Sequence, residues 1–376
     1  MKFRCERDSL VEALSTASRA VSTRAAGIPA LSGVRVDVQG NRLRVVGTDL
    51  DLTVRVEVEA IGLDDGVCVV PARLAADIVR SLAPGAVTFD GGDDEVEIAA
   101  ARSHFVVRTY PAGDFPVLPD VRPDQTALPV AGLTDALRQV VRAASNDDAR
   151  PLLTGVLVAA EGDGIRLVAT DSYRLALRDL AGRNPLPAGT DQILVPARAL
   201  GEVQRLLPSG AKGRAEDEAE PMVGLSVGEL DATFSFQDVQ VTTRLLDGKF
   251  PDYRQLLPAG YPNQLRVDKE SLLDALRRVK LLVRDNTTPV RLSMRPGAVE
   301  LTVESQEVGH ASEEVDADFE GEELTVAFNP SYLSEGVDAA AGEEVLVETV
   351  DATKPATVRA PEHDDYRYLL MPVRVS

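Results

Sequence analysis

Two short acidic stretches are the residues in this sequence most suggestive of catalysis. Thr48-Asp49-Leu50-Asp51 and Thr170-Asp171-Ser172 could each present carboxylates to a magnesium ion. They occupy equivalent positions at the ends of repeated strands, which favours a turn or capping role, with the carboxylate accepting from backbone N–H groups just ahead of it. Other chemistry is sparse. His104, His310 and His363 are scattered too widely for a ligand set. Cys5 and Cys68 have no paired spacing and no adjacent base to activate a thiolate, so neither a disulfide framework nor a Cys-based zinc site is expected, and no cofactor is called for. Gly248-Lys249 is followed by Phe250 and lacks the upstream glycine of a phosphate-binding loop, and no Gly-x-Ser-x-Gly elbow occurs. What does recur is positive charge at helical spacing: Arg73 with Arg80, Arg198 with Arg205, Arg138 with Arg142, and Arg277, Lys280 and Arg284. Each set projects from one helix face and could contact phosphates without reading bases; a solvated polar face is the plain alternative.

The elements that would carry these residues repeat three times. Leu31-Ser32-Gly33-Val34-Arg35-Val36 is echoed by Leu153-Thr154-Gly155-Val156-Leu157-Val158 and more faintly by Thr287-Thr288-Pro289-Val290-Arg291-Leu292. Val69-Val70-Pro71-Ala72-Arg73-Leu74 returns as Leu194-Val195-Pro196-Ala197-Arg198-Ala199 and, degraded, as Ala327-Phe328-Asn329-Pro330-Ser331-Tyr332. Aligned on the proline, the third copy places Tyr332 where the others place Arg73 and Arg198. Phe115-Pro116 recurs as Phe250-Pro251, and an acidic insert between Lys212 and Pro221 accounts for the drift in spacing. A missed repeat of this length would misread the whole architecture.

Within each unit the signals predict a helix, a strand pair, a second helix and further strands. Asp8 or Ser9 can cap a first helix whose apolar face is Leu10, Leu14, Ala17 and Val21; Leu137, Val140, Val141 and Ala144 repeat it, and residues 271–283 supply the third. The second helix is expected to start at the repeated proline, which suits the first helical position. Alternating apolar and polar residues over 42–59 and 165–178 predict antiparallel sheet with one face covered by helices, an α+β fold. Pro-rich joints at 118–129 and 257–264 suggest domains 1–124, 125–260 and 261–376.

The 376 residues hold 40 Lys+Arg against 60 Asp+Glu, a net charge of −20, which on average argues against nucleic acid. The acid is concentrated in strands and turns, at Asp64-Asp65, Asp93-Asp94-Glu95 and Glu313-Glu314, so basic helices and an acidic sheet side are expected. With no Trp and 4% aromatic residues there is no base-stacking platform. The charged opening Met1-Lys2-Phe3-Arg4 lacks the apolar stretch of a signal peptide, and no segment approaches the roughly 18 apolar residues of a membrane span, so a cytoplasmic protein without membrane attachment is expected.

Taken in order, several motifs resemble the beta sliding clamp family, the processivity subunit of bacterial DNA polymerase III. They are Met1-Lys2-Phe3, Gly47-Thr48-Asp49-Leu50, Val70-Pro71-Ala72-Arg73, Ala169-Thr170-Asp171-Ser172-Tyr173-Arg174-Leu175, Asp247-Gly248-Lys249-Phe250-Pro251-Asp252-Tyr253, Phe328-Asn329-Pro330-Ser331-Tyr332 and Leu370-Met371-Pro372-Val373-Arg374-Val375. The resemblance spans the chain. It implies three tandem DNA-clamp domains, each of two helices on antiparallel sheets, closing into a head-to-tail homodimeric ring around duplex DNA. It also implies a non-catalytic subunit of a DNA-directed DNA polymerase, a nucleotidyltransferase holoenzyme. Partners would be the polymerase III catalytic subunit, the clamp loader, and other polymerases and repair proteins, all held through short peptide motifs.

Carried over by position, the partner-peptide pocket would comprise Leu153, Thr170, Ser172, Tyr173, Arg174, Leu175, Pro251, Leu256, Asn329, Tyr332, Leu369, Leu370, Met371, Pro372, Val373 and Arg374. DNA contacts would come from Arg24, Arg73, Arg80, Arg138, Arg142, Arg150, Arg198, Arg205, Arg277 and Lys280, while the 331–340 helix has no Lys or Arg. The dimer seam would join Phe105 and Val107 on an edge strand to Leu281 and Leu282 with the strand near 306–314 of the other copy. A protein-only interaction scaffold and a carboxylate-dependent metalloenzyme using Asp49, Asp51 or Asp171 are the alternative readings.

Overall fold

The computed structural model describes residues 1–22, 27–92, 94–118, 124–182, 184–207, 220–284 and 288–374. The element order repeats three times, but among the described residues four or five strands, not a pair, separate the two helices of each copy, and a strand precedes the first helix. The first copy contains β1 (Lys2–Glu6), α1 (Arg7–Ala17), β2 (Gly33–Gln39), β3 (Arg42–Thr48), β4 (Leu52–Glu59), β5 (Ile61–Asp64), β6 (Gly66–Pro71), α2 (Ala72–Ser81), β7 (Ala86–Gly91), β8 (Glu95–Ala100) and β9 (Ser103–Arg108). The second contains β10 (Thr126–Pro129), α3 (Val130–Val140), β11 (Gly155–Glu161), β12 (Gly164–Thr170), β13 (Arg174–Leu180), β14 (Gln192–Pro196), α4 (Ala197–Leu206), β15 (Met222–Val227), β16 (Asp231–Phe236) and β17 (Val239–Arg244). The third contains β18 (Asn263–Asp268), α5 (Lys269–Val279), β19 (Val290–Arg295), β20 (Gly297–Ser305), β21 (Gly309–Glu320), β22 (Leu324–Phe328), α6 (Pro330–Ala339), β23 (Glu344–Thr349), β24 (Ala356–Ala360) and β25 (His363–Leu370).

The described residues form two compact units, one of 1–130 with 201–245 and the other of 131–200 with 246–374. In the first unit lie a five-stranded sheet, β5-β1-β7-β8-β9, and an eight-stranded sheet, β10-β15-β16-β17-β4-β3-β2-β6. In the second lies a twelve-stranded sheet, β14-β11-β12-β13-β25-β24-β23-β18-β21-β20-β19-β22. The large sheets cross the boundaries between repeats by the same rule. The third long strand of one copy pairs with the last strand of the next: β4 with β17, Val54 opposite Val241, and β13 with β25, Ala176 opposite Tyr368.

Burial follows the alternation read from the sequence. Along β4 every second residue from Leu52 to Val56 is buried while Thr53 and Arg55 are part exposed. On α1, Leu10, Leu14 and Ala17 are buried as expected; Val21 lies beyond the helix in extended backbone. Phe3 and Phe89, on the paired strands β1 and β7, stack with ring centroids 5.2 Å apart. The helix lies close enough to the sheet that a Cβ on Gly47, in β3, would stand 2.0 Å from the Ala17 carbonyl oxygen. Gly47→Ala is therefore expected to destabilise the first unit by about 3 kcal/mol, read as a lowered melting temperature.

Three local expectations are corrected. Neither Asp8 nor Ser9 caps α1: the cap is Glu6, without a side-chain hydrogen bond. The first helix of the third copy starts at Lys269 rather than Ser271, because the Asp268 carboxylate caps it by accepting from Ser271 N at 2.8 Å. The repeated proline opens a helix only in α6; Pro71 and Pro196 are the last residues of β6 and β14. In α6 the cap is Asn329, whose side chain accepts from Ser331 N and Tyr332 N at 2.9 and 3.2 Å. Counted from the caps, Ser331 and not Tyr332 matches Arg73 and Arg198, and Tyr332 matches Leu74 and Ala199.

Both cysteines are buried strand residues, Cys5 in β1 and Cys68 in β6. Burial pushes the Cys5 thiol up to about 11 and the Cys68 thiol up to about 12. An unfolded chain ionises these thiols near pH ~8.5, so their contribution to stability is intact below that pH and is lost progressively above it. Native protein at pH 8 is expected to leave a thiol-specific chromogenic reagent unreacted, and denatured protein to react at both positions.

Candidate functional site

The two acidic stretches form the same turn. Asp49 Oδ1 accepts from Asp51 N at 3.2 Å and Leu52 N at 2.8 Å; Asp171 Oδ1 accepts from Tyr173 N at 2.9 Å and Arg174 N at 3.0 Å. In both, a threonine hydroxyl accepts the next amide, Leu50 N to Thr48 and Ser172 N to Thr170, each at 3.1 Å. Leu50 and Ser172 take left-handed backbone, φ 83° and 80°. The carboxylates are thus committed to shaping β-turns, as the repeat suggested.

In the second copy this turn carries Tyr173, 60% exposed, and Arg174, whose side chain is 9% exposed. Arg174 ties the turn to α6 and β25. Its Nε donates to Asp171 Oδ2 at 3.0 Å, its Nη1 pairs with Glu335, its Nη2 donates to the Arg142 carbonyl at 2.6 Å, and its guanidinium lies 4.2 Å from the centre of the Tyr332 ring. The Tyr368 hydroxyl donates to the Tyr332 carbonyl at 2.9 Å. Burial pushes the Tyr368 and Tyr332 hydroxyls above their ordinary range, keeping both protonated. The chain end is pinned across the same place, Met371 N donating to Tyr173 O at 2.9 Å and Val373 N to Ala327 O at 2.7 Å.

All sixteen residues of the expected peptide pocket fall within the second unit, but at two depths. Leu153, Thr170, Leu175, Leu369 and Leu370 are buried, and Leu175 and Leu369 belong to a core cluster with Leu157, Leu177, Phe250 and Tyr253. They are floor rather than lining. Tyr173, Leu256 and Met371 are 60%, 41% and 37% exposed. Ser172, Pro251 and Arg374 are exposed, and Arg174, Asn329, Tyr332, Pro372 and Val373 are intermediate. An apolar surface over a rigid floor suits insertion of large apolar anchors from a short peptide. Glu335 was missed in the sequence, because nothing local distinguishes the carboxylate that holds Arg174 from any other on α6.

Arg73, Arg80, Arg198, Arg205, Arg277 and Lys280 are exposed, and Arg138 and Arg142 are intermediate. Arg150, in the turn before β11, is exposed and donates to Asp147 at 2.9 Å. Arg24 lies outside the described residues. The sequence reading overlooked their acidic neighbours: Arg80 pairs with Asp77 at 2.7 Å, Arg138 with Asp135 at 3.9 Å, Arg142 with Asp338 at 3.0 Å, Arg205 with Glu202 and Arg277 with Asp274. For all but Arg142 the signal was available as an acid three residues before the arginine. Phe105 is 37% exposed on β9, at the edge of its sheet, with Val107 buried two residues on. Leu281, in the helical turn after α5, is 81% exposed beside a part-buried Leu282. Among the described residues no group of three or more His, Cys, Asp or Glu side chains could hold a metal ion.

Comparison with known proteins accounts for the threefold repeat. The chain matches the DNA polymerase III beta subunit N-terminal domain over residues 1–119, the central domain over 127–252 and the C-terminal domain over 254–374. It is 33% identical to the beta sliding clamp of Streptomyces coelicolor over 100% of both chains. The crystal structure of the DNA polymerase sliding clamp from Bacillus subtilis superposes with a TM-score of 0.91 at 28% identity, covering 100% of both chains. A DnaN sliding clamp from Bartonella birtlesii, bound to griselimycin, superposes equally well, TM-score 0.91 at 30% identity over 100% of both. With three domain matches in order, and full-length relatives above 30% identity, the chain belongs to the DNA polymerase III beta subunit family, the beta sliding clamps.

Proposed function

We propose that this chain is a sliding clamp that encircles duplex DNA and tethers the replicative polymerase to it. The carrying observation is the unbroken succession of three clamp domains over the full chain. Tethering raises the effective concentration of polymerase at its template without tight binding. Clamp domains meet near residues 124 and 260. The polymerase catalytic subunit, the clamp loader and repair polymerases would dock apolar peptide anchors over Tyr173, Leu256 and Met371, a reading supported by the exposed apolar side chains there. No helix among the described residues is long and apolar enough to cross a membrane; we assign the chain to the cytoplasm, serving polymerase chemistry without performing it.

Ring closure follows from the pairing rule between repeats. If β4 takes β17 and β13 takes β25, the equivalent strand β21 must take the equivalent last strand, β9. Among the described residues both have open edges: β9 pairs only with β8, and β21 over Gly309–Asp316 pairs only with β20. A second copy can supply each edge, giving a head-to-tail dimer with two identical seams. Transferring the observed registers places Phe105 of one copy opposite Ala311 of the next and Val107 opposite Gly309. Phe105 then takes the place of Val241 and Tyr368, which are buried at the other two joints.

The test is topological. A dimer loaded on nicked circular DNA by a clamp loader should be retained on the circle and lost when the circle is linearised. Retention after linearisation, or DNA binding that never depends on circularity, would contradict the clamp.

A further inference from the structure

Four helices that carry the basic face also carry, three residues earlier, an acid that neutralises it. On α2 Asp77 accepts from Arg80 at 2.7 Å, on α3 Asp135 lies 3.9 Å from Arg138, on α4 Glu202 holds Arg205, and on α5 Asp274 holds Arg277. Asp77, Asp135 and Asp274 form exposed pairs, which contribute little to stability, so stability does not explain the recurrence at these three; Glu202 is buried and also pairs with Arg19 at 3.5 Å. Conformational need does not explain it either, because the four helices differ in sequence at most other surface positions. Two arginines at the starts of α2 and α4 follow a different rule: three residues before Arg73 and Arg198 stand Val70 and Val195.

We propose that Asp77, Asp135, Glu202 and Asp274 are built-in counterions that weaken the clamp's grip on the DNA backbone and so permit sliding. The inference rests on the reading of these helices as DNA-facing. An unpaired arginine that meets a phosphate releases a condensed cation from the duplex, and that release drives binding. An arginine already held by a carboxylate must give up one anion to gain another, and the displaced carboxylate then repels the phosphate that replaced it. The net gain per contact is small, and so is the barrier to moving from one phosphate to the next. Arg73, with a valine and not an acid three residues before it, lacks this built-in carboxylate on its own helix turn. The arrangement offsets part of the positive charge of the basic helices, in a chain whose overall charge is −20.

The test removes the four charges together, as Asp77→Asn, Asp135→Asn, Glu202→Gln and Asp274→Asn in the full-length dimer. Binding to a short fluorescent duplex is followed by anisotropy across a potassium chloride series. Affinity at low salt is expected to rise at least about tenfold, and the slope of log K against log salt to steepen by up to ~0.9 for each freed arginine that meets a phosphate. A control removes four outward carboxylates from strands, Glu59→Gln, Glu95→Gln, Asp318→Asn and Glu320→Gln, matching the change in net charge; it should strengthen binding much less. Equal strengthening in the control would overturn the proposal, since net charge alone would then suffice. So would unchanged affinity in the helix variant while Arg73→Ala and Arg198→Ala weaken binding, an outcome that leaves the DNA-facing reading standing. If the arginine variants also bind like the unmodified chain, that reading falls and the counterions with it. Because Glu202 is buried, a triple variant retaining it guards against loss of fold and should still strengthen binding.

Discussion

A Leu281→Asp variant is expected to sediment as a folded monomer at concentrations where the unmodified chain forms a dimer. The comparison among repeats shows why this position matters. Counting from the start of the first helix, Leu281 matches Arg19 and Arg142. Both arginines reach an acid on the second helix of the following repeat, Arg19 pairing with Glu202 at 3.5 Å and Arg142 with Asp338 at 3.0 Å. The seam between copies has a leucine there, 81% exposed in the single chain, and the helix it would meet, α2, exposes Leu74 at 49%. The two joints within the chain thus use ion pairs, and the proposed seam between copies would use apolar burial instead. Burying one leucine contributes about 1.5–3 kcal/mol, and an aspartate placed there adds the desolvation of a charge. Each substitution acts at both seams, so the dimer should weaken by at least about 100-fold. The melting temperature of the monomer should not fall, because Leu281 makes no buried contact within its own chain. A dimer of unchanged affinity by sedimentation equilibrium would remove Leu281 from the seam.

How much of this could be read beforehand depended on which property each residue expressed locally. Strands and helices were legible because the alternation in β4 and the helical spacing of Leu10, Leu14 and Ala17 reflect one buried face each. The aspartate turns were legible because an Asx carboxylate serves its own backbone within three residues. The starts of α2 and α4 were misread by one residue, and with them the alignment of Tyr332 on Arg73 and Arg198. A proline suits both the end of a strand and the first turn of a helix, and only the Asn329 cap decides between them. Depth within the pocket was not legible, since Leu369 at 3% exposure and Leu256 at 41% are the same residue type; pairing of β25 with β13 puts the first beneath the sheet surface. The neutralised arginines were overlooked for a different reason. Charge was read as clusters of one sign, and an acid one turn before an arginine belongs to neither the basic nor the acidic set.

Removing the last six residues, Met371 to Ser376, is expected to abolish capture of a partner peptide while leaving the dimer intact. The segment has little core of its own: Met371 and Arg374 are exposed, and Pro372 and Val373 are partly so. It is held by two backbone bonds, from Met371 N to Tyr173 O and from Val373 N to Ala327 O, and in the proposed peptide site it would form one side, with the exposed Tyr173 and Leu256 as other members. Truncation removes that side without opening the floor, because Leu369 and Leu370 remain paired to Leu175 and Arg174 in β13. An apolar anchor that loses one wall of its site forfeits about 3 kcal/mol or more, which weakens peptide binding at least about 100-fold in a calorimetric titration. Arg174→Ala provides the contrast. It strips Asp171, Glu335 and the Tyr332 ring of a partner that is 9% exposed, so it should lower both peptide affinity and the melting temperature. The seam residues Phe105, Val107, Leu281 and Leu282 belong to other elements, so sedimentation of the truncated chain should still report a dimer. Undiminished peptide binding after truncation would place the partner site elsewhere on the clamp. Loss of the dimer would instead make the chain end a structural strand of the ring, with its effect on peptides secondary.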